Sequence, residues 1–416
     1  QPVVDSTNPK NIETFMQLRF GMFIHWGPVT LRATEIGWSR NHEVTRDDYD
    51  SLYKEFDPVL FNAEDWVRTA RDAGMKYLTI TAKHHDGFCL WPTKYTAYNI
   101  KNSPYKKDIV GALARACKKY NIRFCIYYTV LDWYDQRYPL HNDGKKLPDP
   151  DANMDAFVQY MKNQLRELVT SYRPYMIWFD GNWEQPWTLD YGKEIYRFLK
   201  QLDPGLVINN RLGKGVHEIM GNESVGDFAT PEQKIGTLNR SMPWESCITL
   251  CRQWAWKPND AMKSLKQCIQ TLASTAGGDG NLLLNIGPMP DGRIESRQVK
   301  RLKEVGHWLR LYGTAIYNTR GGPYTPDSVL ATTCKDNKIF IHLFKKESAI
   351  VKLPAITGKK LAAVYFLNGN PLQFRQTESE FLISLPEVLP DENDTVIVLE
   401  MDGNVMQIPV VSRTLH

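Results

Sequence analysis

The sequence predicts an α/β protein: a (β/α)8-like barrel over residues 1–322, followed by a C-terminal antiparallel β-sandwich over residues 323–416. Three observations lead to this reading. Between residue 20 and about residue 319, short apolar runs alternate with amphipathic helical patterns, the arrangement that builds parallel β/α units. Several of those runs end in polar groups, where a parallel barrel gathers its chemistry. Beyond Arg320-Gly321-Gly322-Pro323 the helical period stops and short alternating runs with turn residues take over, as in a sandwich.

Taken in order, the expected barrel strands are 21–25, 77–81, 123–128, 175–179, 206–209 and 282–285, each too apolar to face water on either side. Helices are expected at 63–73, 109–120, 154–171 and 191–202. The first of these has Asn62 as its N-cap and Gly74 at its end, so local chemistry sets both limits. Six strands with intervening helices favour an eight-fold barrel with one imperfect or missing unit. No GxGxxG follows the first strand, which removes the usual dinucleotide signal. In the second domain, runs at 338–344, 361–367, 380–385 and 395–400 are expected strands, with Asn368-Gly369-Asn370-Pro371 as a turn.

Composition narrows the function. With 42% hydrophobic and 24% charged residues and a net charge of +4 over 416 residues, the chain reads as an ordinary globular protein. Its Lys and Arg are scattered, so neither nucleic acid nor an anionic membrane is implied as a partner. No run approaches the roughly 20 apolar residues needed to span a bilayer. Seven cysteines without CxxC spacing argue against a zinc cluster or a disulfide framework. The chain begins at Gln1 rather than Met, which suggests a removed signal peptide and an exported protein. Twelve Trp and 20 Tyr supply rings of the kind that form platforms for sugars, although cores use them more often.

The strand ends carry the chemistry. Tyr175-Met176-Ile177-Trp178-Phe179-Asp180-Gly181 is an apolar run that stops at one carboxylate, which makes Asp180 the first catalytic candidate. Others end in His25-Trp26-Gly27, in Lys83-His84-His85-Asp86-Gly87 and in Asn209-Asn210-Arg211. Adjacent strand residues point to opposite faces, so His84 and His85 chelate one ion poorly. Neutral imidazoles, which both donate and accept, suit the hydroxyls of a sugar better, and no metal or other cofactor is expected. Cleaving a glycosidic bond requires a second carboxylate. Glu232, in a turn after Gly226-Asp227-Phe228-Ala229-Thr230-Pro231, and Glu245, beside Trp244, are both candidates, and spacing does not choose between them.

These motifs carry a resemblance. Arg19-Phe20-Gly21-Met22-Phe23-Ile24-His25-Trp26-Gly27, Ala82-Lys83-His84-His85-Asp86-Gly87-Phe88, Trp178-Phe179-Asp180-Gly181, Asn209-Asn210-Arg211, Trp244-Glu245-Ser246-Cys247 and Gly280-Asn281-Leu282-Leu283-Leu284-Asn285-Ile286-Gly287-Pro288 run in the order found in α-L-fucosidases of glycoside hydrolase family 29. The resemblance implies a retaining exo-fucosidase acting on fucosylated glycans, exported to the periplasm or the extracellular space, or lysosomal in a eukaryote. It implies Asp180 as nucleophile, Glu232 as acid/base, and His25, His84, His85, Trp178 and Arg211 as the fucose subsite. In the loop Glu35-Ile36-Gly37-Trp38, Trp38 matches a sugar-contacting Trp of the family, while Gly37 stands where many relatives have Glu. The alternatives are an α-L-galactosidase-like hydrolase of the same fold and a non-catalytic fucose-binding protein.

Overall fold

The computed structural model describes residues 9–413, and its largest sheet is built from seven parallel strands. After α1 (Pro9–Leu18) come β1 (Phe20–Ile24), α2 (Arg46–Ser51), α3 (Ala63–Asp72), β2 (Tyr77–Lys83), α4 (Ile109–Lys119), β3 (Arg123–Thr129), α5 (Met154–Tyr172) and β4 (Met176–Asp180). The unit continues through α6 (Leu189–Leu202), β5 (Val207–Ile208), β6 (Glu245–Thr249), α7 (Leu265–Gly277), β7 (Asn281–Ile286) and α8 (Ser296–Tyr312). The Asn62 side chain caps α3 by accepting from the Asp65 amide, and Gly74 takes a positive φ of 84° beyond the helix end, as the sequence led us to expect.

The strand order β5-β4-β3-β2-β1-β7-β6 leaves β5 and β6 as free edges, and residues 225–232 lie between them. On one side Val225 bridges Arg211 and Phe228 bridges Asn209; on the other Ala229 bridges Trp244 and Glu232 bridges Cys247, all in parallel sense. This irregular eighth stave closes the barrel, and its backbone explains why it is irregular. Gly226, at φ 147°, lies so close to β5 that a Cβ would fall 2.0 Å from the Asn209 carbonyl oxygen, and Pro231 has no N–H to give to a ladder. The excursion between residues 213 and 225 does not disturb the register, because it folds back on itself through the Lys214 amide and the Glu223 carbonyl (2.9 Å).

Both faces of the barrel strands are buried. Phe23, Tyr77, Cys125, Tyr127, Met176, Trp178, Cys247 and Leu283 fill the interior, while Met22, Leu78, Ile126, Ile177 and Leu284 meet the surrounding helices. Each fully buried large side chain contributes about 1.5–3 kcal/mol by leaving water, so this double-sided burial accounts for the nearly continuous apolar runs. β6 escaped the sequence reading because its inward positions are Glu245, Cys247 and Thr249. Helices α1, α2, α7 and α8 likewise lay outside the expected set.

The C-terminal part has two antiparallel sheets. One is β12 (Leu361–Phe366), β15 (Thr395–Met401), β10 (Lys338–Leu343), β9 (Leu330–Lys335) and β8 (Arg320–Gly321) in that order; the other is β11 (Ile350–Pro354), β14 (Glu380–Ser384) and β13 (Phe374–Gln376). Ile339, Ile341, Ile397 and Leu399 pack against Val351, Leu353, Phe381 and Ile383 between the sheets. Residues on the opposite face of the larger sheet, Ala331, Phe340, Val396 and Val398, belong to the barrel's own core. A Cβ on Gly277 of α7 would approach the Ala331 methyl to 2.8 Å, so a glycine is needed where the two parts meet.

Candidate active site

The C-terminal ends of the strands converge on a small cavity lined by Phe23, His25, Glu35, Ile36, Trp38, His84, Tyr127, Trp178, Asp180, Glu232, Cys247 and Trp254. These residues come from β1, β3, β4 and β6, from the ends following β1 and β2, from the irregular stave, and from the loops at 33–38 and 250–256. Groups more than 200 residues apart in sequence therefore share one wall.

Asp180 is the best-held group. One of its oxygens accepts from Arg211 Nη1 at 2.9 Å and the other from the Tyr127 hydroxyl at 3.0 Å; His85 Nε2 stands 3.5 Å from the second oxygen. Burial alone would raise this carboxyl, but the Arg211 charge and His85 hold it well below the usual carboxylate range. Asp180 is therefore ionised at any pH at which the fold is expected to work.

Arg211 reaches both candidate carboxylates. Its Nη1 lies 2.9 Å from Asp180 and 2.9 Å from Glu232, its Nε donates to the Thr230 hydroxyl at 2.8 Å, and its Nη2 donates to the Thr230 carbonyl at 3.0 Å. The guanidinium is buried, stacks 4.5 Å over the Trp178 ring and does not line the cavity. It thus clamps the carboxylates from behind rather than facing a ligand. Replacing Arg211 with Met should remove the main force lowering the Asp180 pKa and leave the burial that raises it. The acid limb of kcat/KM should accordingly move to higher pH, together with a large loss of rate, and a pH–rate profile of the purified variant checks this. An unmoved acid limb would mean that Asp180 does not limit activity on that side.

The histidines divide by role. His25 Nδ1 lies 2.6 Å from the Asn285 side-chain oxygen, and Asn285 is oriented by donating its amide to the Trp254 carbonyl at 2.8 Å. Nδ1 is therefore the protonated nitrogen, and Nε2 is left to accept. Burial pushes His25 down to about 4, so the ring is neutral. His84 stacks parallel on Tyr127 (5.0 Å, 2°) and is also held neutral by burial, with a buried Nδ1 that has no protein partner. His85 is placed differently. Its Nδ1 lies 2.8 Å from the Thr129 hydroxyl, and its ring sits behind the wall against Asp180, Trp38 and Trp133 rather than lining the cavity. Among the described residues, no group of three His, Cys, Asp or Glu is arranged to hold a metal ion.

The two candidates for the second carboxylate occupy very different places. Glu232 is on the rim, its side chain 43% exposed, where the Gln233 amide donates to the Cys247 carbonyl at 2.9 Å and fixes the turn. Glu245 opens β6 at the opposite, N-terminal end and is fully buried. There it accepts from the Tyr77 hydroxyl and, at 3.0 Å, from Trp178 Nε1. Burial pushes its carboxyl up to about 8, so it is a neutral acid that orients Trp178 from below. With both oxygens engaged in the barrel floor, Glu245 does not line the cavity, whereas Glu232 does.

Phe23, Glu35, Ile36, Tyr127, Cys247 and Trp254 line the cavity without having been named as site residues from sequence. Tyr127 could have been found from parity, since Cys125, Tyr127 and Thr129 alternate inward along β3. Glu35 accepts from the Trp254 and Ala255 amides at 2.9 and 2.8 Å, which ties the 33–38 loop to the loop after β6. Trp254 follows a strand that the apolar pattern did not reveal. Gly37, at φ 70°, lets the loop backbone press against the His84-His85 pair: a Cβ there would lie 3.1 Å from His84 Nδ1. The departure from Glu at this position is thus built into the loop's close approach.

Comparisons with known proteins bear on the fold and the family. The family model for alpha-L-fucosidase matches residues 1–314. The human tissue alpha-L-fucosidase is 30% identical over 414 residues, covering 90% of this chain and 85% of the human one. Among solved structures, alpha-L-fucosidase isoenzyme 1 from Paenibacillus thiaminolyticus superposes with a TM-score of 0.86 at 30% identity, covering 94% of this chain and 99% of that one. A GH29 alpha-L-fucosidase from Bacteroides thetaiotaomicron, solved as a trapped covalent intermediate with 2-fluoro-fucosyl fluoride, gives a TM-score of 0.86 at 27% identity, covering 96% of this chain and 98% of that one. On the match of the family model and the extent of these relatives, the chain belongs to the α-L-fucosidase family of glycoside hydrolases.

Proposed function

We propose that Asp180 is the nucleophile and Glu232 the acid/base of a retaining exo-α-L-fucosidase acting on terminal α-L-fucose of oligosaccharides or glycoconjugates. The observation that carries this reading is the shared guanidinium nitrogen. With Arg211 Nη1 2.9 Å from each carboxylate, the two nearest oxygens lie no farther apart than twice that distance. Retaining glycosidases place their carboxyls about 5–5.5 Å apart, and a pair that activates water across the sugar needs at least about 6.5 Å. Two carboxylates held on one nitrogen are close enough to be compatible with direct attack by Asp180 on the anomeric carbon.

Asp180 attacks as Glu232 protonates the departing glycosidic oxygen, giving an ester between the sugar and Asp180. Glu232, now ionised, takes a proton from water as the water opens that ester. Arg211 keeps Asp180 ionised for attack. The cavity is small, which fits removal of a terminal residue. His25 and His84 offer neutral nitrogens to its hydroxyls, while Phe23, Ile36, Trp178 and Trp254 give an apolar wall for the methyl group of a 6-deoxy sugar. No described helix is long and apolar enough to cross a membrane. We place the enzyme outside the cytosol with its glycan substrates. The second domain, which we place at 323–416, braces the barrel through α7.

Purified protein should hydrolyse an aryl α-L-fucoside, and proton NMR of the first product should show the α-anomer before mutarotation. The β-anomer appearing first would overturn the double displacement. Turnover of an aryl α-L-galactoside in preference to the fucoside would move the substrate to that sugar.

A further inference from the structure

Two exposed indoles stand at the cavity mouth. Trp38 and Trp183 are each 44% exposed and nearly parallel, with centroids 5.8 Å apart and planes at 18°. Each meets the His85 ring close to perpendicular, at 5.7 and 5.3 Å, and His85 in turn backs Asp180. Trp38 lines the cavity and Trp183 does not, so Trp183 stands beside the cavity, against Trp38.

Trp183 is not a loose surface side chain. It lies three residues after Asp180 on a turn whose start, Gly181, takes a φ of 95°. The neighbouring Asn182 is buried, donates its amide to the Gly213 carbonyl and holds His217 Nε2 at 2.9 Å. Lys214 donates to the Asn182 and Glu184 carbonyls at 2.8 and 2.9 Å, and the Glu184 carboxylate accepts from Trp133 Nε1 at 3.0 Å and the Tyr138 hydroxyl at 2.6 Å. Both neighbours of Trp183 are fixed while its indole is left in water. An apolar face held on a fixed turn beside the cavity costs little ordering when a ligand settles on it.

From this we propose that Trp183 is the platform for the leaving group, stacking against the C–H face of the pyranose ring that carries the fucose. The proposal rests on the fucosidase reading above and extends it by one sugar unit. Glu232, on the same rim, would then meet the glycosidic oxygen between the two rings.

The test compares substrates with and without a sugar leaving group. Wild type, Trp183→Ala and Trp183→Phe are assayed on α-L-fucosyl fluoride, whose leaving group cannot reach Trp183, and on a panel of fucosylated disaccharides. Trp183→Ala should lose about tenfold in kcat/KM on the best disaccharide, mostly through KM, as expected for one lost stacking contact. It should be unchanged on the fluoride and in product inhibition by fucose, and Trp183→Phe should recover most of the loss. Equal losses on both substrate types would show that the indole only supports His85 and Asp180, and no loss on any disaccharide would remove the platform; either result overturns the proposal. Wild-type protein inert towards the fluoride would instead overturn the fucosidase reading, and this proposal with it.

Discussion

Asp180→Asn should lose at least about 10⁴-fold in kcat/KM on every fucoside, aryl or natural, because no leaving group can compensate for a missing nucleophile. The amide fills the same volume and can still accept from Tyr127, and Arg211 retains Glu232 as its ionic partner, so the melting temperature should move little. The comparison of rate with Tm is what separates chemistry from folding: a variant that has lost activity because it unfolds would fail both measurements. An Asp180→Gly companion opens a space on the nucleophile's face of the sugar, where azide should enter and release a glycosyl azide of inverted configuration. Substantial residual activity in a rigorously purified Asp180→Asn protein, or azide product of retained configuration from Asp180→Gly, would take the nucleophile's role away from Asp180.

The parts of this site that were legible in the sequence are those attached to regular strands. Asp180 ends an apolar run whose double-sided burial leaves an unmistakable pattern, and His25 and His84 follow runs of the same kind. The residues that were harder to place belong to the irregular closure of the barrel. Between β5 and β6 the chain makes bridges rather than a ladder, Gly226 and Pro231 break the strand pattern, and the insertion at 213–225 hides the fact that Glu232 returns to the rim. Glu245 stood as the alternative to Glu232 for a related reason. Its strand is polar on the inward face, so neither the strand nor the end of it that Glu245 occupies could be read, and spacing alone did not separate the two carboxylates. Arg211 was legible as part of the site, but its orientation towards two carboxylates, with Thr230 taking its remaining nitrogens, is a tertiary fact that spacing does not encode. The same holds for Trp183, whose significance lies in the clamped turn beneath it.

Glu232→Ala should damage substrates in proportion to how much acid help their leaving groups need. A sugar alkoxide is a strong base and a poor leaving group, so it requires a proton to depart, and kcat/KM on a fucosylated disaccharide should fall by about 10²–10⁴-fold. A nitrophenolate or fluoride leaves unaided, so formation of the ester from those substrates should be nearly spared. The second half of the reaction then lacks its base, the ester on Asp180 should accumulate as a burst, and kcat should drop even where kcat/KM does not. Azide needs no general base, fits the space vacated beside the 43% exposed carboxylate, and should restore turnover as a glycosyl azide of retained configuration. Glu245→Ala makes the contrasting case. It removes a buried group that accepts from Tyr77 and Trp178, so it should lower the melting temperature, slow all fucosides alike by letting Trp178 shift, and gain nothing from azide. Because the two carboxylates lie at opposite ends of the barrel interior, no displacement of one variant's side chains can imitate the other's signature; azide rescue of Glu245→Ala with none for Glu232→Ala would reverse the assignment.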